Sequence, residues 1–326
     1  MTNHSPAANH SPAASSRPAT AMLAPSLARL ARENDGLVVR AHLAARHISP
    51  AVARAAVRAK QLHRIRPGVL VTTGRWAAAN GHERYVLTVK GLLLAHPEWV
   101  ASHHAALALH GLPLHDVDTD LVDVVAPMKA SKIRSGLHVH VATAEQLEHA
   151  GAADGPRVVP VADACVLTAA ASGFEAGVVA MDAALKRRLV TREALRAALA
   201  LPGVRYGIGS ARAAIEAADP SAESPGETLT RLILQRSGAM VRSQVWIEDG
   251  EGTIGRVDFL VGDRVVDEFD GAVKYEGAEG KLELMREKKR EERLRDAGYR
   301  VIRVTWADLR HPERLLARVG RELAAA

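Results

Sequence analysis

The 326-residue sequence contains a single cysteine, Cys165. That excludes an internal disulfide and any zinc cluster built on several thiolates, and it suits a reducing cytoplasm. Aromatic residues make up only 3% of the chain, with four Trp, four Tyr and three Phe. Single-strand nucleic-acid grooves stack successive bases on such rings, so the shortage argues against that kind of surface. There is no apolar run of about 18 residues, and hence no helix expected to span a membrane. GxSxG and P-loop patterns are missing, and Gly207-Ile-Gly209 lacks the third glycine of a dinucleotide fingerprint.

What is present describes a globular chain. Hydrophobic residues at 48% and charged residues at 25% can bury real cores, and the length suggests two or three domains. The net charge of +6 is unevenly spread: residues 1–100 carry 13 Lys/Arg against 4 Asp/Glu, residues 101–280 carry 17 against 25, and residues 281–321 carry 13 against 7. Two basic regions around an acidic centre suggest a polyanion met at both ends and a carboxylate-rich middle that needs a cation.

Residues 1–22 repeat Asn3-His-Ser-Pro-Ala-Ala8 as Asn9-His-Ser-Pro-Ala-Ala14 and offer nothing for a core, so a disordered tail is expected. From 23 to 75 the spacing of Leu27, Leu30 and Ala31 predicts a first helix, and Asn34-Asp35-Gly36 ends it. A second helix fits 38–46. Ser49-Pro50 opens a third that runs to about Lys60. Two short strands then flank the turn Pro67-Gly68. Three helices and a hairpin outline a winged helix-turn-helix. Arg54 and Arg58 share a face of its third helix, and Lys60, Arg64 and Arg66 extend the basic surface into the wing.

Residues 76–218 read as a mostly helical region with a short β hairpin built from 121–125 and 137–141. Six histidines, His103, His104, His110, His115, His138 and His140, raise the question of a metal. His138 and His140 share one strand face, but no acid or cysteine stands at a zinc-motif spacing, so scattered structural and surface histidines are expected.

Chemistry concentrates after Ser224. A helix opening on Ser224-Pro-Gly-Glu227, three strand-like runs (241–247, 256–261, 264–269), a charged helix (281–297), a strand (299–306) and a final helix give the order αβββαβα over 224–326. Glu268 and Asp270 share a strand face, and Asp258 on the preceding strand can lie across from them. Carboxylates gathered in this way repel unless a hard divalent cation joins them, and Mg²⁺ is the natural choice beside phosphate oxygens. Glu227 stands three residues after Ser224, a spacing that a capping box explains equally well.

These residues carry a resemblance. Val257-Asp-Phe-Leu260, the run Val265–Gly271, Arg290-Glu-Glu-Arg293-Leu294 and Gly298-Tyr-Arg-Val-Ile-Arg-Val-Thr305 together resemble the endonuclease-like domain of very short patch repair enzymes, within the PD-(D/E)xK nuclease superfamily. The resemblance implies a restriction-endonuclease-like fold and Mg²⁺-dependent hydrolysis of DNA phosphodiesters. It implies Asp258 and Glu268 as metal ligands, Glu227 as an outer carboxylate, and a basic helix bearing Lys289, Arg290 and Arg293 that faces double-stranded DNA. Asp270 stands where the superfamily pattern has lysine, and Lys274 stands where relatives often carry histidine, a position open to two roles, orienting or deprotonating the attacking water and a surface residue on the loop after Gly271. Residues 24–142, through Gly36-Leu-Val-Val-Arg40, Arg64-Ile-Arg-Pro-Gly68-Val69 and Val100–Leu112, more loosely resemble abortive-infection type IV antitoxins, which implies promoter binding by a winged helix. Two functions are therefore expected in competition: a magnesium-dependent DNA endonuclease, and a non-catalytic antitoxin-like regulator whose nuclease domain is degenerate.

Overall fold

The computed structural model describes residues 22–151, 155–271 and 277–325. The expected tail, apart from Met22, and Lys274 lie outside them. The chain forms two compact units, Met1–Ala95 and His96–Ala326.

In the first unit, α1 (Pro25–Glu33) begins with proline at its first position and buries Leu27, Leu30 and Ala31 along one stripe. Asp35 and Gly36 then take positive φ (52° and 84°), reversing the chain into β1 (Leu37–Val39). The second helix is shorter than its predicted span. Leu37, Val38 and Val39 pair with Val71, Leu70 and Val69, and only Arg40–Ala45 forms α2. Tertiary pairing of an apolar β-branched pair outweighs the helical spacing there. In α3 (Pro50–Arg58), Ser49 caps the helix by accepting from Ala51 N at 3.3 Å. Ala53 and Ala56 face inward and Arg54 and Arg58 face solvent. The hairpin β2 (Leu62–Arg66) and β3 (Val69–Thr72) completes a three-stranded sheet of order β1-β3-β2. The unit extends past the predicted limit at residue 75 through α4 (Thr73–Ala78) and α5 (Gly81–Ala95). Gly91 lets α5 approach the sheet, since a Cβ there would sit 2.3 Å from Val69 Cγ1.

The second unit contains two sheets. The first joins β4 (Val100–Ala101), β5 (Val122–Ala126), β6 (Lys132–Arg134) and β7 (Leu137–Val141) in the order β4-β5-β7-β6. Both predicted strands are present, but they are not partners in a hairpin: β5 and β7 run parallel, and the hairpin is β6–β7. The exposed strand β6, too polar to announce itself, supplies the reversal that makes the parallel pairing feasible. Helices α6 (His103–Leu109), α7 (Ala144–His149), α8 (Val161–Ser172), α9 (Phe174–Lys186), α10 (Arg192–Ala198) and α11 (Ile208–Ala217) make up the helical part.

The second sheet follows the predicted αβββαβα order with one added short helix. It comprises α12 (Pro225–Gln235), β8 (Val241–Asp249), β9 (Gly252–Val261), β10 (Val265–Asp270), α13 (Gly277–Asp296), β11 (Arg300–Thr305), α14 (Trp306–Leu309) and α15 (Pro312–Ala324). Strands run β11-β10-β9-β8, antiparallel except for the parallel pair β10–β11, which α13 connects. One apolar cluster joins Phe259, Val261, Val265, Ile302 and Val304 to Ile233 and Leu234 of α12 and Leu315 and Val319 of α15. A second joins Ile247, Val257, Leu260 and Val266 to Leu294 of α13. The sheet is thus covered on both faces, with its acids held between the layers.

Candidate functional site

The carboxylate centre is assembled by register. β9 and β10 pair antiparallel through Asp267↔Phe259, and the next step along the ladder sets Glu268 beside Asp258. Phe269 N donates to Asp258 Oδ2 at 2.9 Å, fixing the acid against the neighbouring strand. Glu227 comes from the first turn of α12, where Gly226 packs so tightly on Phe269 that a Cβ would sit 2.0 Å from its ring. The capping role read from the sequence is seen, shifted by one residue. Ser224 Oγ accepts from Glu227 N (3.1 Å), and Glu227 Oε2 accepts from Glu223 N (2.9 Å), the amide just before the cap residue. Gln244 was not anticipated. It adopts φ 55°, a conformation rare for a non-glycine residue, and donates from Nε2 to Glu227 Oε2 at 3.0 Å. It also hydrogen-bonds Asp258.

Burial pushes the Asp258 carboxyl up to about 6, and the charges of Glu227 and Glu268 add to the rise against the bonds from Phe269 and Gln244. Glu268 is differently placed. Arg290 Nη2 reaches its Oε1 at 2.5 Å and Arg303 Nη1 its Oε2 at 3.2 Å, so two guanidinium groups already balance it. Asp270, the expected third acid, is exposed at the end of β10, and Glu227 takes its place near Asp258.

The predicted cations divide sharply. Arg54, Arg58, Lys60 and Arg64 are exposed, and none forms an ion pair among the described residues; Arg66 is half-buried on the same strand. Lys289 is likewise exposed on α13. Arg290 and Arg293, expected to face DNA, are instead engaged within the chain. Arg290 binds Glu268, Glu287 (3.1 Å) and the Arg256 carbonyl (2.8 Å), and Arg293 clasps both oxygens of Asp249 at 2.6 and 3.1 Å.

A second constellation overturns the expectation of scattered histidines. His103, His104, His138 and His140 surround Asp123 of β5. The parallel pairing of β5 with β7 aligns Asp123 with His138 and Val125 with His140. His140 Nε2 lies 2.6 Å and His138 Nδ1 3.5 Å from Asp123 Oδ1, while His104 Nδ1 lies 3.3 Å from Oδ2. His103 enters from the start of α6 with φ 49°, its ring stacked on His140 at 4.3 Å. One ligand atom each from His103, Asp123 and His140 falls within 4.8 Å of the others. Glu227, Asp258 and Glu268 form no such group among the described residues. The alternation His138-x-His140 was the legible half of this cluster. Its acid comes from another strand and escapes any spacing rule.

No family model matches the chain. Over 151 residues it is 33% identical to two uncharacterized proteins of Mycobacterium tuberculosis, one from strain CDC 1551 and one from strain H37Rv; the match covers 45% of this chain and 54% of each of them. The chain thus spans about half the length of the curated relatives it matches.

Proposed function

We propose that the protein binds double-stranded DNA through a winged helix in its first unit and carries a nuclease-like domain of the PD-(D/E)xK type at its C-terminal end. The observation that carries the reading is the set of four exposed cations without ion pairs among the described residues, Arg54, Arg58, Lys60 and Arg64, on one helix, the turn after it and the adjoining wing strand. The arginines that close the C-terminal sheet are paired instead, as Arg290, Arg293 and Arg303 are. Cations left unpaired beside one another repel, a cost offset when phosphates arrive. The order helix–strand–helix–helix–hairpin suits such docking, with α3 entering the major groove and the hairpin tracking the backbone.

In the C-terminal domain Asp258 and Glu268 would hold Mg²⁺, with Glu227 behind them. The donors fit, being carboxylate oxygens, and Asp258 in particular lacks a cationic partner among the described residues. The ion would polarise a scissile phosphate and activate water there. Gln244 orients Glu227 and Asp258, and Arg303 holds Glu268 from the flanking strand. A second reading, a non-catalytic antitoxin-like regulator, is favoured by one observation: Arg290 and Arg303 already neutralise Glu268 and would have to yield to the metal.

Incubation of the purified protein with supercoiled duplex DNA and Mg²⁺, together with gel-shift titrations in EDTA, tests both steps. Retarded DNA in EDTA and nicking with Mg²⁺ that is lost in Asp258→Ala and Glu268→Ala are the expected results. Binding without nicking would select the regulator. Binding unchanged by Arg54→Glu with Arg58→Glu would remove the winged helix from the interface.

A further inference from the structure

The carboxylate centre offers hard oxygen donors only. Elsewhere in the second unit, between β5, β7 and the start of α6, the donor set is rich in nitrogen. We propose that His103, Asp123 and His140 form a binding site for a borderline divalent transition-metal ion of the Zn²⁺ class, with His138 at its rim.

Donor chemistry is the first argument. Two imidazoles and one carboxylate, with a further imidazole at hand, suit a tetrahedral Zn²⁺ site with one position left open, whereas Mg²⁺ prefers oxygen throughout. Geometry is the second. The three ligand atoms lie within 4.8 Å of one another, and a tetrahedral ion with bonds of about 2.0–2.2 Å sets its donors about 3.3–3.6 Å apart, so the widest separation closes around it. The His140–Asp123 contact of 2.6 Å would open by about 1 Å to admit an ion between its partners. Third, the ligands have outer partners. His104 uses Nε2 on the carbonyls of Asp118 (3.1 Å) and Leu121 (3.0 Å), and its Nδ1 steadies the second oxygen of Asp123 at 3.3 Å. Ser102 Oγ meets His103 Nδ1 at 3.0 Å, which leaves Nε2 of that ring for a metal. Such second partners fix the tautomer and aim of first ligands.

The backbone gives a fourth argument. His103 holds φ 49° at the first position of a helix, a left-handed conformation that costs free energy in a residue with a Cβ. The strain places its ring in the cluster, 95% buried and stacked on His140. Four imidazole rings converge on the buried Asp123 or on one another.

The test uses the full chain, stripped with chelator and titrated with Zn²⁺ by calorimetry, and with Co²⁺ by visible absorption. His140→Ala and His138→Ala are partly exposed substitutions that should fold; Asp123→Asn is the buried companion. One equivalent of Zn²⁺ is expected in the wild type, with intense Co²⁺ bands of a four-coordinate ion and a raised melting temperature. His140→Ala and Asp123→Asn should weaken binding by about 100-fold or more, and His138→Ala by about 10-fold. A protein with Asp258→Ala and Glu268→Ala should bind Zn²⁺ as the wild type does, so this site stands or falls independently of the nuclease centre. Absence of saturable binding, or affinity unchanged in a folded His140→Ala protein, overturns the proposal. So does Zn²⁺ binding that disappears with Asp258 and Glu268 while surviving loss of His140.

Discussion

Asp258 and Asp267 show what burial does to an acid at one site and at another. Asp258 is pushed up to about 6 by burial and by the neighbouring acids Glu227 and Glu268. Asp267, fully buried, is raised by burial to about 7 with Arg318 pulling it back, and neither of its oxygens has a hydrogen-bond partner among the described residues. For an acid whose folded value lies above its unfolded one, the folded state holds more protons between the two. Stability therefore falls as pH rises from about 4 to the folded value, and the deficit is complete above it. Asp258→Asn removes the ionisation yet leaves an oxygen for Phe269 N. It should stabilise the protein by about 1–3 kcal/mol at about pH 8, with the gain shrinking as pH falls through 6 and gone below about 4 in urea melts. Asp267→Val should gain by a similar amount, about 1–3 kcal/mol, with its window reaching to about 7. A gain independent of pH in either variant would mean that ionisation is not its source. The two variants part at function: only Asp258→Asn should abolish any Mg²⁺-dependent nicking. At this scale the sequence was legible where an acid interrupts an apolar strand, as at Asp258 and Glu268. It was silent on Gln244, which is neutral and gains its place through a left-handed backbone, and on Asp123, whose partners arrive from β7 and α6.

Among the elements, α12 serves two structures at once. Its apolar side packs on the second sheet, and its Arg231, only 3% exposed, turns toward the helical part. Arg231 Nη2 pairs with Asp182 of α9 at 2.8 Å, and its Nη1 donates to the Ala217 carbonyl at 2.8 Å. Thr228 Oγ1 (2.8 Å) and Asp219 N (2.6 Å) also donate to Asp182, so this buried carboxylate is fully engaged. This polar joint explains why residues 219–223, which divide two regions by composition, do not divide the structure: His96–Ala326 is one unit. Linker-like sequence is visible from composition, whereas a buried ion pair across it is not, because Arg231 and Asp182 are 49 positions apart. Arg231→Ala strands the Asp182 charge in the interior and should cost about 3–5 kcal/mol. Replacing both members, Arg231→Met with Asp182→Leu, should recover most of that loss, since the desolvation penalty then vanishes with the charges. Equal destabilisation by single and double variants, read from chemical denaturation, would show that packing rather than the ion pair carries the joint.

On the scale of the whole molecule, charge is sorted by use. The basic first hundred residues, 13 Lys/Arg against 4 Asp/Glu, keep a group of cations on α3 and β2 exposed and without ion pairs among the described residues. In residues 281–321 the excess is 13 against 7, yet Arg290, Arg293, Arg295, Arg300 and Arg303 are all spent on carboxylates of their own unit. Lys288, Lys289, Arg310 and Arg314 are exposed there too and form no ion pair among the described residues, so the two basic regions differ in which cations they leave for a polyanion, a distinction that counting residues cannot make. Counterion release makes it measurable. Each phosphate contact adds about 0.9 to the magnitude of the slope of log K against log salt on duplex DNA. Arg54→Gln and Arg58→Gln should each lower that magnitude by about 0.9, and together by about 1.8, with little change in melting temperature because neither side chain has an ion-pair partner to lose among the described residues. Arg293→Gln should leave the slope unchanged and lower stability instead, since it frees Asp249 from its two-point clasp. Fluorescence anisotropy on a labelled duplex across a salt series separates the outcomes. A slope that responds to Arg293→Gln and ignores Arg54→Gln and Arg58→Gln would transfer the DNA surface from the first unit to the second.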